Sequence, residues 1–105
     1  MVASQLRTAP LDAALLAEAA EVIRVLGHPV RLRIVECLEE GERTVTELQR
    51  KLRAPQAIVS QQLARMRAAG IVACRREGSN KFYRVADERV VRMLNCLRNC
   101  ETDRR

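Results

Sequence analysis

Apolar side chains recur every three or four residues through most of this chain, which is the spacing of one face of an α-helix. The clearest stripe starts at Leu15 and ends at Leu26. Prolines, glycines and one capping box, in which Thr44 caps a helix and Glu47 reaches back to it, divide the pattern into separate elements. We therefore predict five helices, over Leu11–Leu26, from Pro29 to a stop at Gly41, from Thr44 to about Leu52, over about Gln56–Ala69, and from Asp87 to about Cys100.

One stretch alternates with a period of two residues instead. The segments Ile71–Arg76 and Lys81–Val85 flank four turn-forming residues, Glu77–Asn80, which predicts an antiparallel hairpin with a four-residue loop. Pairing across this loop places one mainly apolar set of side chains on one face and a second set on the other. The first set is Val72, Cys74, Tyr83 and Val85, and the second is Arg75, Phe82 and Arg84.

The order of these elements predicts a fold that is mainly α with a small β-hairpin, a winged helix-turn-helix. We expect one domain over residues 11–100, with flexible ends at residues 1–10 and 101–105. Aromatic residues make up only 2% of the 105 residues, so the core of a single copy is lean. The first and last helices carry more apolar surface than the central module covers, which favours a symmetric homodimer through these two helices.

Positive charge is concentrated in residues 54–86. The whole chain carries +6, and this window alone carries +5, because six basic side chains are opposed there only by Glu77. A cationic helix followed by a cationic ribbon is typical of proteins that bind the phosphates of double-stranded DNA. The candidate DNA-binding residues are Gln56, Ala57, Ser60, Gln61, Ala64, Arg65, Arg67, Arg75, Arg76, Ser79, Asn80 and Lys81.

Each part of this surface also has a simpler interpretation. The fourth helix by itself is as well explained as an ordinary solvated amphipathic helix, and hairpin tips are often basic. A hairpin directly after such a helix favours the DNA-binding interpretation, in which Gln61 and Ser60 contact bases or the DNA backbone. In that interpretation Arg65, Arg67, Arg76 and Lys81 contact phosphates.

Several function classes are excluded by what the sequence lacks. No segment approaches the ~20 apolar residues of a membrane span, and no signal peptide is recognisable, so we expect a cytoplasmic protein with free thiols. No nucleophile–base arrangement, phosphate-binding glycine loop or paired acidic motif points to an enzyme. No cofactor is expected to be needed for folding.

Three segments, Leu26–Val35, Ile58–Val72 and Arg76–Val85, resemble the ArsR/SmtB family of bacterial repressors. The resemblance covers about Leu11–Cys100. It implies a homodimeric winged-helix repressor that binds a palindromic operator and is released when an inducer binds. The recognition helix of the family corresponds to Gln56–Arg67 here, and its wing tip to Arg75–Lys81.

Two metal sites known in the family are altered here. The third-helix motif Glu-Leu-Cys-Val-Cys-Asp is replaced by Glu42–Glu47, in which threonines stand at both cysteine positions. The last-helix zinc ligands correspond to Asp87, Arg89, Cys100 and Asp103. An arginine at a ligand position opposes zinc binding, so we expect neither site. His28, the sole histidine, is interpreted as a structural residue.

The cysteines are the remaining candidates for sensing. Cys74 is interpreted as a small core residue of the hairpin, and Cys37 flanks the buried stripe of the second helix. Cys96 and Cys100 are four residues apart, so they share a face of the last helix, away from its apolar stripe. This face is either part of the dimer interface or a sensor.

As a sensor, the pair would bind a soft ion such as arsenite or Cu(I), with a third thiol from Cys37 or from the partner chain. Alternatively the thiols are oxidised or persulfidated. Sulfide-responsive relatives place thiols near the positions of Cys37 and Cys100. Two other hypotheses stay open: a family member without a metal or thiol sensor, and a winged helix used as a protein-interaction module.

Overall fold

The computed structural model describes residues 9–103, which form five helices and one two-stranded hairpin. The predicted fold class is confirmed. The expected flexible ends lie partly outside the described residues, at 1–8 and 104–105. The elements are α1 (Ala13–Leu26), α2 (Pro29–Glu39), α3 (Val45–Leu52), α4 (Gln56–Ala68), β1 (Val72–Glu77), β2 (Asn80–Val85) and α5 (Glu88–Asp103).

Local capping sets most of the helix ends. Asp12 accepts a hydrogen bond from the backbone N–H of Leu15 at 3.1 Å, so α1 begins at Ala13, two residues later than predicted. The predicted capping box of α3 is present, because Thr44 and Glu47 bond each other's backbone N–H groups at 3.2 and 2.9 Å. α5 continues past the predicted end, so residues 101–103 are helical and not part of a C-terminal tail.

The hairpin has the predicted faces but a shorter loop. Cys74 pairs with Tyr83 and Val72 with Val85, whereas Glu77 and Asn80 pair with each other and therefore belong to the strands. The loop is thus two residues long. Gly78 has φ of 64° and the next residue does not have positive φ, as in a type II′ turn with glycine in first position.

The core lies where α2, α3, α4 and the hairpin meet. Its completely buried side chains include Ile34, Leu48, Val59, Leu63 and Met66. The hairpin is fixed to this core by an isolated bridge, in which the backbones of Arg43 and Tyr83 exchange hydrogen bonds of 3.1 and 2.8 Å. Because one face of α4 is buried in this core, its opposite face is exposed to solvent and accessible to a ligand.

The outer helices bury only part of their apolar stripes. Val22 and Leu26 of α1 and Val90 and Leu94 of α5 are buried. By contrast, Leu15 is 47% exposed, Ile23 56% and Leu97 52%. Within the described part of the chain, no helix is long and apolar enough to cross a membrane.

Candidate nucleic-acid interface

α3 and α4 are joined by a three-residue turn, Arg53 to Pro55. Arg53 closes α3 in the left-handed conformation with φ of 52°, and Pro55 precedes α4 in an extended conformation. A proline at this point ends one helix and pre-sets the backbone for the next. The result is the predicted helix-turn-helix, with α4 in the position of a recognition helix.

The outer face of α4 is polar and carries small side chains. Val59, Leu63 and Met66 anchor the inner face and are completely buried. The small side chains on the outer face allow a close approach to a duplex groove, and the amide and hydroxyl groups can bond base edges or phosphates. All the predicted α4 contact residues are exposed: Gln56, Ala57, Ser60, Gln61, Ala64, Arg65 and Arg67.

The N-terminus of α4 differs from those of the preceding helices. Side chains of Asp12, His28 and Thr44 cap α1, α2 and α3, whereas Pro55 has no side-chain oxygen to offer and α4 has no side-chain cap. Uncapped N–H groups at the positive end of a helix dipole attract anions such as phosphate. This end of α4 is therefore suited to a phosphate.

Four cationic side chains on α4 and near the hairpin tip are free to contact phosphates, and Arg84, further along β2, is likewise exposed and forms no ion pair within residues 9–103. Arg65, Arg67, Arg76 and Lys81 are exposed, and none of them forms an ion pair with any residue from 9 to 103. Ser79 and Asn80 are exposed beside them at the hairpin tip. The residues predicted to contact DNA at the wing tip are therefore solvent-accessible, but Arg75 differs from the others in its partners.

Arg75 is held by acidic side chains of the protein itself. Its Nε and Nη2 lie 2.9–3.0 Å from the carboxylate of Glu42, and its Nη1 lies 2.6 Å from Glu77. Its guanidinium also stacks 4.8 Å from the ring centroid of Phe82. The same contacts lower the pKa of Glu42, mainly through the hydrogen bond from Arg75. These contacts compensate the charge of Arg75 within the protein, so we expect it to anchor the wing, and its role as a phosphate contact stays a prediction.

Two polar residues inside the molecule were not predicted from the sequence. Arg31 of α2 donates from Nε to the Gln62 side chain of α4 at 2.6 Å, and Gln62 is only 7% exposed. A signal was available: Gln62 lies three residues after Val59 and four before Met66, so it falls at the spacing of the buried face. A polar side chain at such a position needs a partner.

The structure separates the candidate sensing cysteines. Cys96 and Cys100 are exposed and lie seven and eleven residues after Arg89, so they share its side of α5. Arg89 reaches Glu18 of α1 at 3.6 Å, so the start of this side of α5 lies near α1. The half-buried Cys37 instead lines a concavity together with Arg98. Arg98 lies nine residues after Arg89 and therefore on the opposite side of α5.

Cys37 is therefore not placed to complete a three-thiol site with Cys96 and Cys100 of the same chain. Consistent with this separation, no three His, Cys, Asp or Glu side chains within residues 9–103 are arranged to hold a metal ion. Burial raises the pKa of Cys37, which disfavours its thiolate. The version of the sensor hypothesis in which Cys37 of the same chain supplies the third thiol is thus not supported by this arrangement.

Asp87 and Arg89, which occupy two family metal positions, pair with each other, and His28 has a backbone partner. Arg89 binds the carboxylate of Asp87 with Nε at 3.0 Å and Nη2 at 2.7 Å, and it lowers the pKa of Asp87 through these hydrogen bonds. His28 accepts the N–H of Val30 through Nδ1 at 3.1 Å. Its interpretation as a structural residue is confirmed, since it caps α2.

The fold and the exposed cationic surface define a winged-helix DNA-binding protein. The sequence profile of the bacterial regulatory protein arsR family matches residues 28–73. A biofilm growth-associated repressor of Agrobacterium fabrum is 42% identical over 80 residues, which are 76% of this chain and 68% of that protein. The chain belongs to the ArsR family, whose members are transcriptional regulators and not enzymes.

Solved structures agree with this assignment. The transcriptional repressor BigR from Xylella fastidiosa has a TM-score of 0.79 and 37% identity, over 83% of this chain and 89% of that one. The homodimeric winged helix-turn-helix DNA-binding domain of Mb0332 from Mycobacterium bovis has a TM-score of 0.75 and 30% identity, over 93% of both chains. The sequence-based resemblance and the predicted class, a homodimeric DNA-binding repressor, are confirmed.

Proposed function

We propose that two copies of this chain, joined through α1 and α5, repress transcription by binding a palindromic operator. The observation that carries this proposal is the exposed surface of α4 and the hairpin tip, where four cations lack an ion-pair partner among residues 9–103. Each α4 would enter one major groove, and each wing would contact the adjacent phosphates. Such a protein acts in the cytoplasm, where bacterial DNA lies.

The contacts divide into two classes. Gln61 and Ser60 lie on the outer face of α4 and would read base edges or bond the backbone. Arg65, Arg67, Arg76 and Lys81, together with the uncapped start of α4, would contact phosphates. Arg75 is left out of this set because Glu42 and Glu77 already occupy its guanidinium.

The dimer is proposed to form through the apolar surface that a single copy leaves uncovered. Leu15, Ile23 and Leu97 are each about half exposed, although Leu15 and Leu97 continue stripes that are buried elsewhere in α1 and α5 and Ile23 borders the stripe of α1. A second copy related by a twofold axis would cover both stripes with the same surface. It would also set the distance between the two recognition helices.

The inducer is proposed to act on the thiols of Cys96 and Cys100. Both are exposed and one helical turn apart, on the same side of α5 as Arg89, whose guanidinium reaches Glu18 of α1. A soft ion such as arsenite, or a reactive sulfur species, would bind there and change how α1 and α5 pack in the dimer. Release from DNA would follow from the altered spacing of the recognition helices.

Selection of bound duplexes from a random library tests the DNA-binding part. We expect inverted repeats whose half-site centres lie about 10 base pairs apart or a multiple of that distance. Binding of the selected duplex should weaken steeply as salt rises, because phosphate contacts release counterions. No enriched sequence together with a flat salt dependence would instead favour the protein-interaction module.

The thiol part is tested on the same selected duplex with arsenite and with an organic persulfide as separate probes. We expect one of them to release wild type and the Cys37→Ser variant but not the double variant Cys96→Ser, Cys100→Ser. Release of the double variant at the wild-type concentration would contradict the assignment. Failure of both probes on wild type would favour a family member without a thiol sensor.

A further inference from the structure

One charged side chain connects three helices through hydrogen bonds. Arg31, near the start of α2, donates from Nε to Gln62 Oε1 of α4 at 2.6 Å and from Nη1 to the Val25 carbonyl of α1 at 2.7 Å. Val25 lies in the last turn of α1, where carbonyl groups have no partner within the helix. Arg31 thus supplies the missing donor at the end of α1 and binds the recognition helix with the same guanidinium.

This contact is the directional part of the packing of α4. Val59, Leu63 and Met66 are completely buried and determine which face of α4 turns inward, but the hydrophobic effect itself has no preferred direction and the fine rotation is left to steric packing. A hydrogen bond from a charged donor has a narrow range of lengths and angles and is stronger than a neutral one. Gln62 is the one buried polar side chain within residues 9–103, so no second such bond shares this task.

Gln62 directly follows Gln61 in α4, and the two side chains lie in different environments. Gln61 is exposed on the outer face, whereas Gln62 is 7% exposed and points inward. A small rotation of α4 about its axis would displace the outer side chains from the base edges they must bond. The poorer fit would affect contacts to bases more than contacts to phosphates, because long cationic side chains adapt.

We infer that Arg31 is a positioning residue, which sets the rotation of the recognition helix through Gln62 and joins it to the end of α1. The inference rests on the proposed function and extends it to the source of sequence specificity. Because α1 belongs to the proposed dimer surface, the same guanidinium carries a change in the dimer to the recognition helix. Neither residue touches DNA in this mechanism.

The test compares binding to the selected operator duplex with binding to a scrambled duplex of equal length. Gln62→Met keeps the size of the side chain and removes the acceptor, and Gln62→Glu keeps an acceptor for Arg31. We expect Gln62→Met to lower the ratio of operator to scrambled affinity by about tenfold, the effect of removing one charge-assisted hydrogen bond. Gln62→Glu should retain the ratio within about threefold, since the bond persists.

A double variant separates positioning from stability. In Arg31→Met, Gln62→Met the buried amide and its donor are both replaced by apolar side chains, which is often nearly neutral for folding, while the Val25 carbonyl at the end of α1 loses its Arg31 donor and must bond water instead. We expect its thermal midpoint to recover toward wild type while its operator preference stays low. Wild-type preference in either Gln62→Met or the double variant would overturn the inference. Absence of any preference in wild type itself would instead refute the proposed function.

Discussion

The reading surface, formed by α4 and the hairpin tip, and the outer helices α1 and α5 expose opposite kinds of side chain. On α4 the apolar side chains of the inner face are completely buried and the outer face is polar, small or cationic, with Ile58, 40% exposed, as the exception on its flank. On the outer helices, Ile23 and Leu97 are more than half exposed. The first surface is complete within one chain and is suited to a hydrated polyanion. The second is part of a core that one chain does not complete.

The two surfaces differ in the source of the free energy that each gains when its partner binds. Unpaired cationic side chains stay hydrated in the free protein, and their binding to phosphates is favoured by the release of the counterions condensed on DNA. Exposed leucine and isoleucine side chains gain energy when another apolar surface removes them from water. The two surfaces should therefore respond to different variables, salt for the first and protein concentration for the second.

Placing a charge on the exposed apolar surface of α1 or α5 should have the largest effect on operator binding. We expect Ile23→Glu or Leu97→Glu to convert the dimer into a monomer, because a buried unpaired carboxylate is strongly unfavourable. A monomer contacts one half-site only, so operator affinity should fall about 100-fold. Sedimentation equilibrium and duplex titration measure both effects. Ala17→Glu, on a different side of α1, is the matched control and should leave the dimer intact.

Changing the base-reading part of α4 should have a smaller and more selective effect. Gln61→Ala removes an exposed amide that can bond two sites on one base, so discrimination at one position of each half-site should fall about tenfold. Affinity for scrambled duplex should stay unchanged. Binding to a set of single-base operator variants measures this discrimination. An equal decrease in affinity on all duplexes would place Gln61 on the backbone instead.

The two adjacent arginines of β1 offer a comparison of free and compensated charge. Arg76→Ala and Lys81→Ala should each reduce the slope of log affinity against log salt by about 0.9 for every phosphate that the side chain neutralises, thus about twice that per dimer. Arg75→Ala should leave the slope nearly unchanged, because Glu42 and Glu77 already compensate its charge. If Arg75→Ala flattened the slope as much as Arg76→Ala, Arg75 would be a phosphate contact after all.

The ion pair that anchors the wing should show the smallest effect, as a titration. The pKa of Glu42 is lowered in the folded protein, mainly by the hydrogen bond from Arg75. The contribution of this ion pair to the free energy of unfolding is therefore complete above the ordinary carboxyl pKa of about 4.3. It is lost as the pH falls through the lowered pKa of Glu42. Carbon-13 NMR of the Glu42 carboxyl should show this titration. In Arg75→Gln, the Glu42 pKa should rise back toward its ordinary range.

Most of the elements were predictable because their signals are local. The capping box at Thr44 and Glu47 and the turn at Pro55 involve neighbours in sequence, and both are present as predicted. The hairpin faces followed from alternation, whereas the loop length did not. Gly78 permits a two-residue turn, so Glu77 and Asn80 pair as strand residues where a four-residue loop was expected.

The candidate site was predictable as a surface but not as a set of interactions. Every α4 residue chosen for its helical phase is exposed, because phase depends only on position along one helix. Arg75 and Arg76 are indistinguishable by composition, yet only Arg75 meets Glu42, which lies 33 residues earlier in the chain. The exposure of Leu15 and Leu97, which stand on the same stripes as buried residues, likewise could not be read from their positions along the helix.

The sequence by itself determined the order and approximate extent of the elements, the cationic character of α4 and the hairpin, and the replacement of cysteines in the third-helix metal motif. These follow from periodicity, caps and residue types, which are properties of short segments. Only the tertiary structure decided which charges are neutralised, that Arg31 reaches Gln62 across 31 residues, and that Cys37 lies apart from Cys96 and Cys100. Such contacts depend on how helices pack against each other, and packing is set by the whole core at once.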